Sequence, residues 1–275
     1  MQPEIDKYPV EFYGEFYGNE DAAEQAKDDE YCPFLDDKCK KTTKTTDETI
    51  GTCSVGYRGR GQSEYKPHCI CPHRFETPEI FNEIRPVLVD EGEYFTQPEV
   101  PLLGTSIDYV AGKRRDSGEV IDFAGVEIQA LDTTGSVSPF REAYFENGKS
   151  MEDTDGRYGM NWAMSLTKTM MQQAFKKGRV FKEWGENLIF LVQDVSLDYI
   201  RDNYDASGLR PVHNDDPVHF YGYKMTYDYD EEGYVWEIDE KLSSTIEGIT
   251  QMMVDPQDRD SPSRDEFCST IQGRF

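Results

Sequence analysis

A carboxylate and an amide lie side by side in the stretch FAGVEIQALDTTG, which spans residues 123–135. Apolar residues alternate there with Glu127 and Gln129, and this period of two predicts a strand that presents both polar side chains on one face. A half-solvated strand explains the pattern without any chemistry. The chemical alternative is metal-dependent hydrolysis of a phosphodiester, which needs oxygen ligands for Mg²⁺ on rigid elements and a polar group that orients water.

Hydrolysis of that kind needs a second acid on a neighbouring strand. Asp108, within the SIDY of the preceding predicted strand, has 18 residues between it and Glu127. Asp122 competes for the role, but its offset of five residues from Glu127 puts it on the opposite face of the strand unless Gly125 introduces a bulge. We therefore favour Asp108 as the first acid and keep Asp122 as the alternative.

The amide of Gln129 makes this triple unusual. It can orient water or substrate, but it carries no positive charge of the kind that a lysine at that position would supply. Charge stabilisation would then come from Mg²⁺ and from Lys168 on the following predicted helix. The D-x18-E-x-Q spacing is weak evidence by itself, because a chain with 54 acidic residues contains many such triples.

Five of the six cysteines lie within 40 residues, in a segment with few Leu, Ile or Val residues to form a core of its own. Nothing in the sequence indicates secretion, so disulfides are not expected in a reducing compartment. Four thiolates around zinc or iron would instead contribute folding free energy directly. The candidate ligands, spaced C-x6-C-x13-C-x17-C, are Cys32, Cys39, Cys53 and Cys71. Either Cys69 or His68 could replace Cys71 in this set.

The net charge of the chain is −25, from 54 acidic and 29 basic residues. A surface of this kind repels nucleic acid, because binding phosphate requires lysine and arginine to replace counterions. Adaptation to high salt explains the charge, since salt screens the self-repulsion of an acidic surface. The alternative is an inhibitor that mimics DNA.

The segment 38–75 departs from the acidic average, with eight basic and three acidic residues and therefore a net charge of +5. A DNA mimic has no reason to keep such a basic island, whereas a salt-adapted DNA-binding protein does. The residues we expect to contact DNA are Lys40, Lys41, Arg58, Arg60 and Lys66, together with Lys168 beyond the island. Arginines such as Arg58 and Arg60 can pair with guanine through two hydrogen bonds.

At 275 residues, the chain can hold one large domain, or a main domain with a small appended one. We expect an N-terminal segment over 1–75 with the cysteine module at about 31–75, a main domain over 76–255 that ends in a hairpin and a helix, and a loose tail over 256–275. The chain has no run of 18 apolar residues and no charged-then-apolar leader, so we expect a soluble, cytoplasmic protein without a membrane partner.

The hydrophobic pattern predicts a mixed α/β fold. A helix is expected after Thr77, with Pro78 at its first position. The other predicted elements are strands at 104–112 and 119–132, a helix over 161–178 that ends at Gly178, a buried LIFLV strand, a hairpin around the turn EEG, and a helix over 240–254. The order predicts an antiparallel hairpin followed by a helical crossover to a buried strand.

Taken in order, these motifs resemble the NotI-like type II restriction endonucleases. The motifs are CPF at Cys32, Cys39, GTCSV, ICPHR, SIDY, GVEIQALD and the helix NWAMSLTKTMMQQAFKKG, followed by an apolar strand. The resemblance covers roughly residues 12–195. Each motif is modest, and their shared order and spacing make the resemblance specific.

The resemblance implies a PD-(D/E)xK nuclease core, with a mixed sheet and helices on both faces, beside a small N-terminal four-cysteine metal module. It also implies Mg²⁺-dependent cleavage of palindromic duplex DNA by a homodimer. Asp108 and Glu127 would bind Mg²⁺, Gln129 would stand at the usual lysine position, and the cysteines would bind iron, with zinc as the chemical alternative. The rival interpretations are a non-catalytic DNA-binding protein that uses the cysteine module and an acidic decoy.

Overall fold

The computed structural model describes residues 2–42, 49–59, 62–146, 150–254 and 263–272. The strands are β1 (Pro9–Phe12), β2 (Glu15–Phe16), β3 (Tyr31–Cys32), β4 (Asp37–Lys38), β5 (Thr52–Tyr57), β6 (Lys66–Cys69), β7 (Glu93–Leu102), β8 (Thr105–Arg114), β9 (Val120–Gln129), β10 (Thr133–Gly135), β11 (Tyr158–Met160), β12 (Asn187–Gln193), β13 (Arg210–Pro211), β14 (Val218–Asp228) and β15 (Gly233–Ser244). The α-helices are α1 (Glu20–Asp28), α2 (Pro78–Asn82), α3 (Ser138–Phe145), α4 (Met171–Trp184), α5 (Asp194–Asn203), α6 (Ile246–Val254) and α7 (Arg264–Gln272). A π-helical segment spans Ala163–Met170, and short 3-10 turns span Pro72–Phe75, Arg85–Val87, Met151–Asp153 and Ala206–Gly208.

A mixed seven-stranded sheet dominates the fold, with the strand order β13-β15-β14-β12-β9-β8-β7. Strands β8 and β9 form an antiparallel hairpin, and β9, β12 and β14 run parallel to one another. Helix α4 makes the crossover from β9 to β12, as parallel neighbours require. The hairpin and crossover predicted from the sequence are therefore confirmed.

The two faces of this sheet are covered differently. Helices α4, α5 and α6 pack on one face, around apolar side chains that include Met170, Phe181, Phe190, Ile200 and Ile249. The opposite face is covered by α2 and by a second sheet with the strand order β2-β1-β5-β6. Residues of that N-terminal sheet and of the large sheet share one apolar cluster, which includes Val10, Phe16, Val126, Ile189 and Tyr223.

The long predicted helix extends beyond its expected end. It begins as the π-helical segment and continues as α4 to Trp184, so the stop predicted at Gly178 is wrong. Gly178 instead allows close packing, because a Cβ there would lie 2.5 Å from Cγ2 of Val218 on β14. The helix ends at Gly185, whose φ of +78° is the left-handed conformation that glycine favours after a last turn.

One C-terminal prediction is wrong. The stretch 240–254 was predicted to be one helix, but β15 continues to Ser244 and α6 begins only at Ile246. Pairing with β14 explains the difference, because Leu242 lies opposite Phe220 in the ladder and is buried. Within the expected loose tail, residues 264–272 form α7.

The start of α2 after Thr77 is confirmed. No helix in the described part of the chain is long and apolar enough to cross a bilayer.

Candidate active site

Strands β8 and β9 bring Asp108 and Glu127 together. Their ladder runs to the pair Tyr109–Val126, and extending this register by one residue places Asp108 opposite Glu127. Directly opposed residues of an antiparallel pair project from the same face. The backbone N–H of Ile128 donates to Oδ2 of Asp108 at 2.7 Å. The Asp108 carboxylate thus accepts the hydrogen bond that a backbone carbonyl of β8 would accept if the ladder continued past Tyr109–Val126.

The alternative acid lies elsewhere. Asp122 is five residues before Glu127 on β9, opposite Lys113, and its Oδ2 accepts a hydrogen bond from the N–H of Val89 at 2.6 Å. Five strand residues span roughly 16 Å. The geometry therefore favours Asp108 over Asp122 as the partner of Glu127.

A cleft of roughly 790 Å³ opens beside this pair. Asp108, Ile128 and Gln129 line it, and Glu127 lies behind the lining residues with 2% of its surface exposed. The other polar residues that line the cleft are Lys40, His73, Glu76, Glu99, Tyr109, Asp132, Thr169 and Gln173. The cleft is large enough to receive a phosphodiester segment.

Burial raises the pKa of both carboxyls. Burial raises the pKa of Glu127 to about 7, with Asp108 adding to the rise and Lys177 opposing it. Burial also raises the pKa of Asp108, although its hydrogen bond from the N–H of Ile128 opposes the rise. Two desolvated carboxyls this close are a donor set that a hard divalent cation would stabilise. The residues therefore fit Mg²⁺, even though no set of three or more His, Cys, Asp or Glu side chains in the described ranges is arranged to hold a metal ion.

A buried lysine contacts the pair directly. Lys177 of α4, whose side chain is 3% exposed, donates to Oε1 of Glu127 at 2.5 Å and to the carbonyl of Ser106 at 2.6 Å. The sequence interpretation missed this residue. A signal was present, because Lys177 falls on the apolar stripe of the helix with Leu166, Met170, Ala174 and Phe181.

Gln129 and Lys168 were predicted to act beside the pair, and of these two the structure places Gln129 at the cleft. Gln129 lines the cleft, and its Nε2 donates to the neighbouring carbonyl of Ala130 at 2.7 Å. Lys168, expected to supply charge, is exposed and lies outside the set of cleft-lining residues. Lys177 occupies the position beside Glu127 instead.

Three further carboxylates line the cleft and were not anticipated, namely Glu76, Glu99 and Asp132. The register of β7 with β8 places Glu99 opposite Asp108, and Glu99 has a φ of +53°. Glu76 follows the 3-10 turn Pro72–Phe75 and accepts hydrogen bonds from the hydroxyl of Tyr109 and from Nδ1 of His73, each at 2.7 Å. The cleft is therefore strongly acidic, which favours a cation over a free anion.

A comparison with protein-family models shows the family to which the chain belongs. The model of the family described as "Restriction endonuclease NotI" matches residues 17–220, about three quarters of the chain. The chain belongs to the NotI restriction endonuclease family. No curated protein matches it. Family membership supports a restriction endonuclease that acts on DNA, and the matched region includes Asp108, Glu127, Gln129 and Lys177.

The cysteines that the NotI resemblance assigns to a metal are neighbours in the structure. The Cys71 thiol interacts electrostatically with Cys32, Cys39 and Cys53, and all are free thiols. A hydrogen bond from the Cys53 thiol is the main reason that the pKa of Cys71 is lowered to about 6. The thiols are thus close to one another, but within the described residues they are not gathered at metal-coordinating geometry. Their chemistry fits iron or zinc, and the metal remains a prediction.

The two alternatives to Cys71 are engaged elsewhere. The Sγ of Cys69 donates to the carbonyl of Cys71 at 3.2 Å, and burial raises the pKa of this thiol. His68 is buried, its Nδ1 lies 2.9 Å from the carbonyl of Lys66, and its ring packs edge-on against Tyr57 and Trp162. We favour Cys71 because its thiol interacts with all three of the other candidate ligands.

Burial of His68 should make stability depend on pH. Burial lowers its pKa from the ordinary 6.5 to about 4, so protons bind the unfolded chain more tightly than the folded one. The free energy of unfolding is therefore unaffected by His68 above pH 6.5. As the pH falls from 6.5 towards 4, protonation of His68 in the unfolded chain lowers this free energy by about 3 kcal/mol in all. We expect urea unfolding of His68→Gln to depend less on pH in this window than unfolding of the wild type. Parallel pH profiles for the two proteins would contradict this assignment.

The predicted DNA-contacting residues of this NotI family member divide into three groups. Lys40, Arg58, Lys66 and Lys168 are exposed, and Lys40 also lines the cleft. Lys41 has a structural contact, since its Nζ donates to the carbonyl of Ile70 at 2.7 Å. Arg60 lies outside the described residues.

Proposed function

We propose that the chain is a type II restriction endonuclease that hydrolyses phosphodiester bonds at a specific palindromic site in double-stranded DNA, with Mg²⁺ as cofactor. Family membership supports the nuclease activity. The observation that carries the catalytic assignment is the pairing of Asp108 and Glu127 across β8 and β9, at the point where the strands diverge beside an open cleft.

Three groups would hold Mg²⁺, namely the carboxylates of Asp108 and Glu127 and the backbone carbonyl of Ile128. When bound, the cation supplies polarisation of the phosphoryl oxygen and neutralises developing charge. The chain supplies the orientation. The N–H of Ile128 fixes the Asp108 carboxylate, and the strand ladder fixes Glu127. Gln129 lines the cleft with an amide that can donate to or accept from a water molecule in line with the phosphorus atom.

Duplex DNA would be bound by exposed basic residues at the cleft and on the N-terminal part of the chain. Lys40 reaches the cleft itself, and Arg58 and Lys66 lie on the cysteine-containing N-terminal part of the chain. Positive charge concentrated there can bind phosphates although the whole chain is acidic. A homodimer with two-fold symmetry would place one active site on each strand of a palindrome.

The proposal is tested by digestion of unmethylated plasmid and genomic DNA with Mg²⁺ at high salt. We expect discrete fragments whose ends share one sequence, and complete loss of cleavage with EDTA. DNA binding without any nicking would instead support the non-catalytic DNA-binding protein. Failure to bind DNA at all would support the acidic decoy.

We also propose that Cys32, Cys39, Cys53 and Cys71 hold a structural iron ion, with zinc as the alternative. Elemental analysis of the purified protein is expected to find about one equivalent of iron or zinc per chain, and Cys71→Ser is expected to lose it. The matched control is Cys268→Ser, because Cys268 lies on α7, far along the chain from the other thiols. Wild-type protein without either metal would contradict the proposal.

A further inference from the structure

The ammonium of Lys177 lies at the point where β8 and β9 separate. The ladder between these strands ends at Tyr109–Val126, and Lys177 then bridges the carbonyl of Ser106 near the start of β8 to the carboxylate of Glu127 on β9. Both contacts are short, at 2.6 and 2.5 Å, and the side chain is almost fully buried. An ammonium in such a place is tolerated only with partners of this kind.

The position of Lys177 follows from the packing of α4 on β9. Phe181 packs against Gly125, and Lys177, one turn earlier on the helix, contacts Glu127, two residues later on the strand. Four helical residues rise about 6 Å and two strand residues about 6.6 Å. One turn of α4 therefore spans about the same distance as two residues of β9. One turn before Lys177, Gln173 lines the cleft, as does Gln129. Lys177 is therefore held by rigid elements.

The charge balance at the site gives this lysine a role. Asp108, Glu127 and Glu99 are carboxylates that interact with one another, and Gln129 carries no charge. Among the described residues that contact Asp108 or Glu127, Lys177 supplies a positive charge from a side chain. A phosphodiester that enters this acidic cleft needs such a charge nearby.

We propose that Lys177 is a positioning residue for DNA cleavage, which holds the Glu127 carboxylate in orientation across the strand opening and supplies the positive charge that Gln129 lacks. This inference rests on the proposed nuclease function. It predicts that the charge matters more than its point of attachment, so that a lysine introduced at position 129, on the same face of β9 as Glu127, can replace Lys177.

The test compares single-turnover cleavage by the full-length wild type, Lys177→Met and Lys177→Met/Gln129→Lys. We expect Lys177→Met to cleave about 100-fold more slowly, with DNA binding in Ca²⁺ unchanged within a few fold, and the added lysine to restore at least about tenfold of that loss. Lys182→Met is the matched control, because Lys182 lies on the same helix, is 51% exposed and pairs with Glu247 at 3.2 Å. It should cleave like the wild type.

Stability provides a readout that does not depend on cleavage. Lys177→Met should lower the melting temperature because Glu127 loses its buried partner, and Glu127→Gln/Lys177→Met should recover most of that loss because no charge is left unpaired. If Lys177→Met does not fold, Lys177→Gln, which keeps a hydrogen-bond donor without the charge, should fold and show the same loss of cleavage rate.

Wild-type cleavage by folded Lys177→Met or Lys177→Gln would overturn the inference. A loss of rate that Gln129→Lys does not restore would also overturn it, since the role of Lys177 would then be structural. Absence of cleavage by the wild type itself is a different result, because it would defeat the proposed function while the melting temperatures still report whether Lys177 and Glu127 interact.

Discussion

Glu127→Gln is expected to lower the rate of DNA cleavage by about 1000-fold or more, because several kcal/mol of charge stabilisation depend on that carboxylate. Glutamine keeps the volume of the side chain and can still accept a hydrogen bond from Lys177. The measurement is single-turnover cleavage of a plasmid. Glu119→Gln serves as the control, since Glu119 is an exposed acid close to the start of β9.

This variant also tests the link between the site and the fold. Removing the negative charge leaves the Lys177 ammonium buried without an ionic partner, but it also removes a buried carboxylate whose pKa is raised to about 7. Circular dichroism must therefore show that Glu127→Gln is folded at the assay temperature. A folded Glu127→Gln protein that cleaves at the wild-type rate would remove Glu127 from the active site.

Arg74→Met is expected to destabilise the chain by about 3–5 kcal/mol, because it leaves the buried carboxylate of Glu11 without its cation. Arg74 is 4% exposed and Glu11 fully buried, with Nη2 and Oε1 3.2 Å apart. The guanidinium also donates to the carbonyl of Tyr234, and it lies 4.7 Å from the ring centroid of Phe34. The contacts of Arg74 join Glu11 on β1 to Tyr234 on β15 of the large sheet. They also hold the 3-10 turn Pro72–Phe75, which precedes the cleft-lining residue Glu76.

Urea unfolding of Arg74→Met and Arg114→Met provides the measurement. Arg114 pairs with Glu93 at 2.9 Å, but its side chain is 44% exposed, so losing this pair should cost at most about 1 kcal/mol. The double variant Glu11→Gln/Arg74→Met should recover part of the loss, since no charge is left buried. Equal effects of the two arginine variants would show that burial does not set the strength of the Glu11 pair.

The sequence predicted the elements whose patterns are local. The alternation in β9, the preceding strand with Asp108 and the proline-led start of α2 all follow from spacing and residue type. The end of α4 was missed because Gly178 looks like a stop signal, while its actual role is to admit Val218 from a strand 40 residues later. That role depends on tertiary packing, which a local pattern does not contain.

In the candidate site, too, local patterns predicted some residues, while others reach the site only through tertiary packing. Asp108 and Glu127 were identified from strand patterns, and the structure brings them together. Glu99 and Glu76 reach the cleft from an edge strand and a 3-10 turn, and neither their spacing nor their residue type predicts this placement. Lys177 was within reach of sequence reasoning, because a lysine on an apolar helical stripe must find a buried partner.

Asp108 and Glu127 are the proposed catalytic centre of this NotI family member. The most direct test is to map fragment ends after digestion of unmethylated genomic DNA by wild type, Asp108→Asn and Asp122→Asn. We expect ends at one palindromic sequence for the wild type and for Asp122→Asn, and no cleavage by folded Asp108→Asn. Cleavage retained by Asp108→Asn and lost by Asp122→Asn would contradict it.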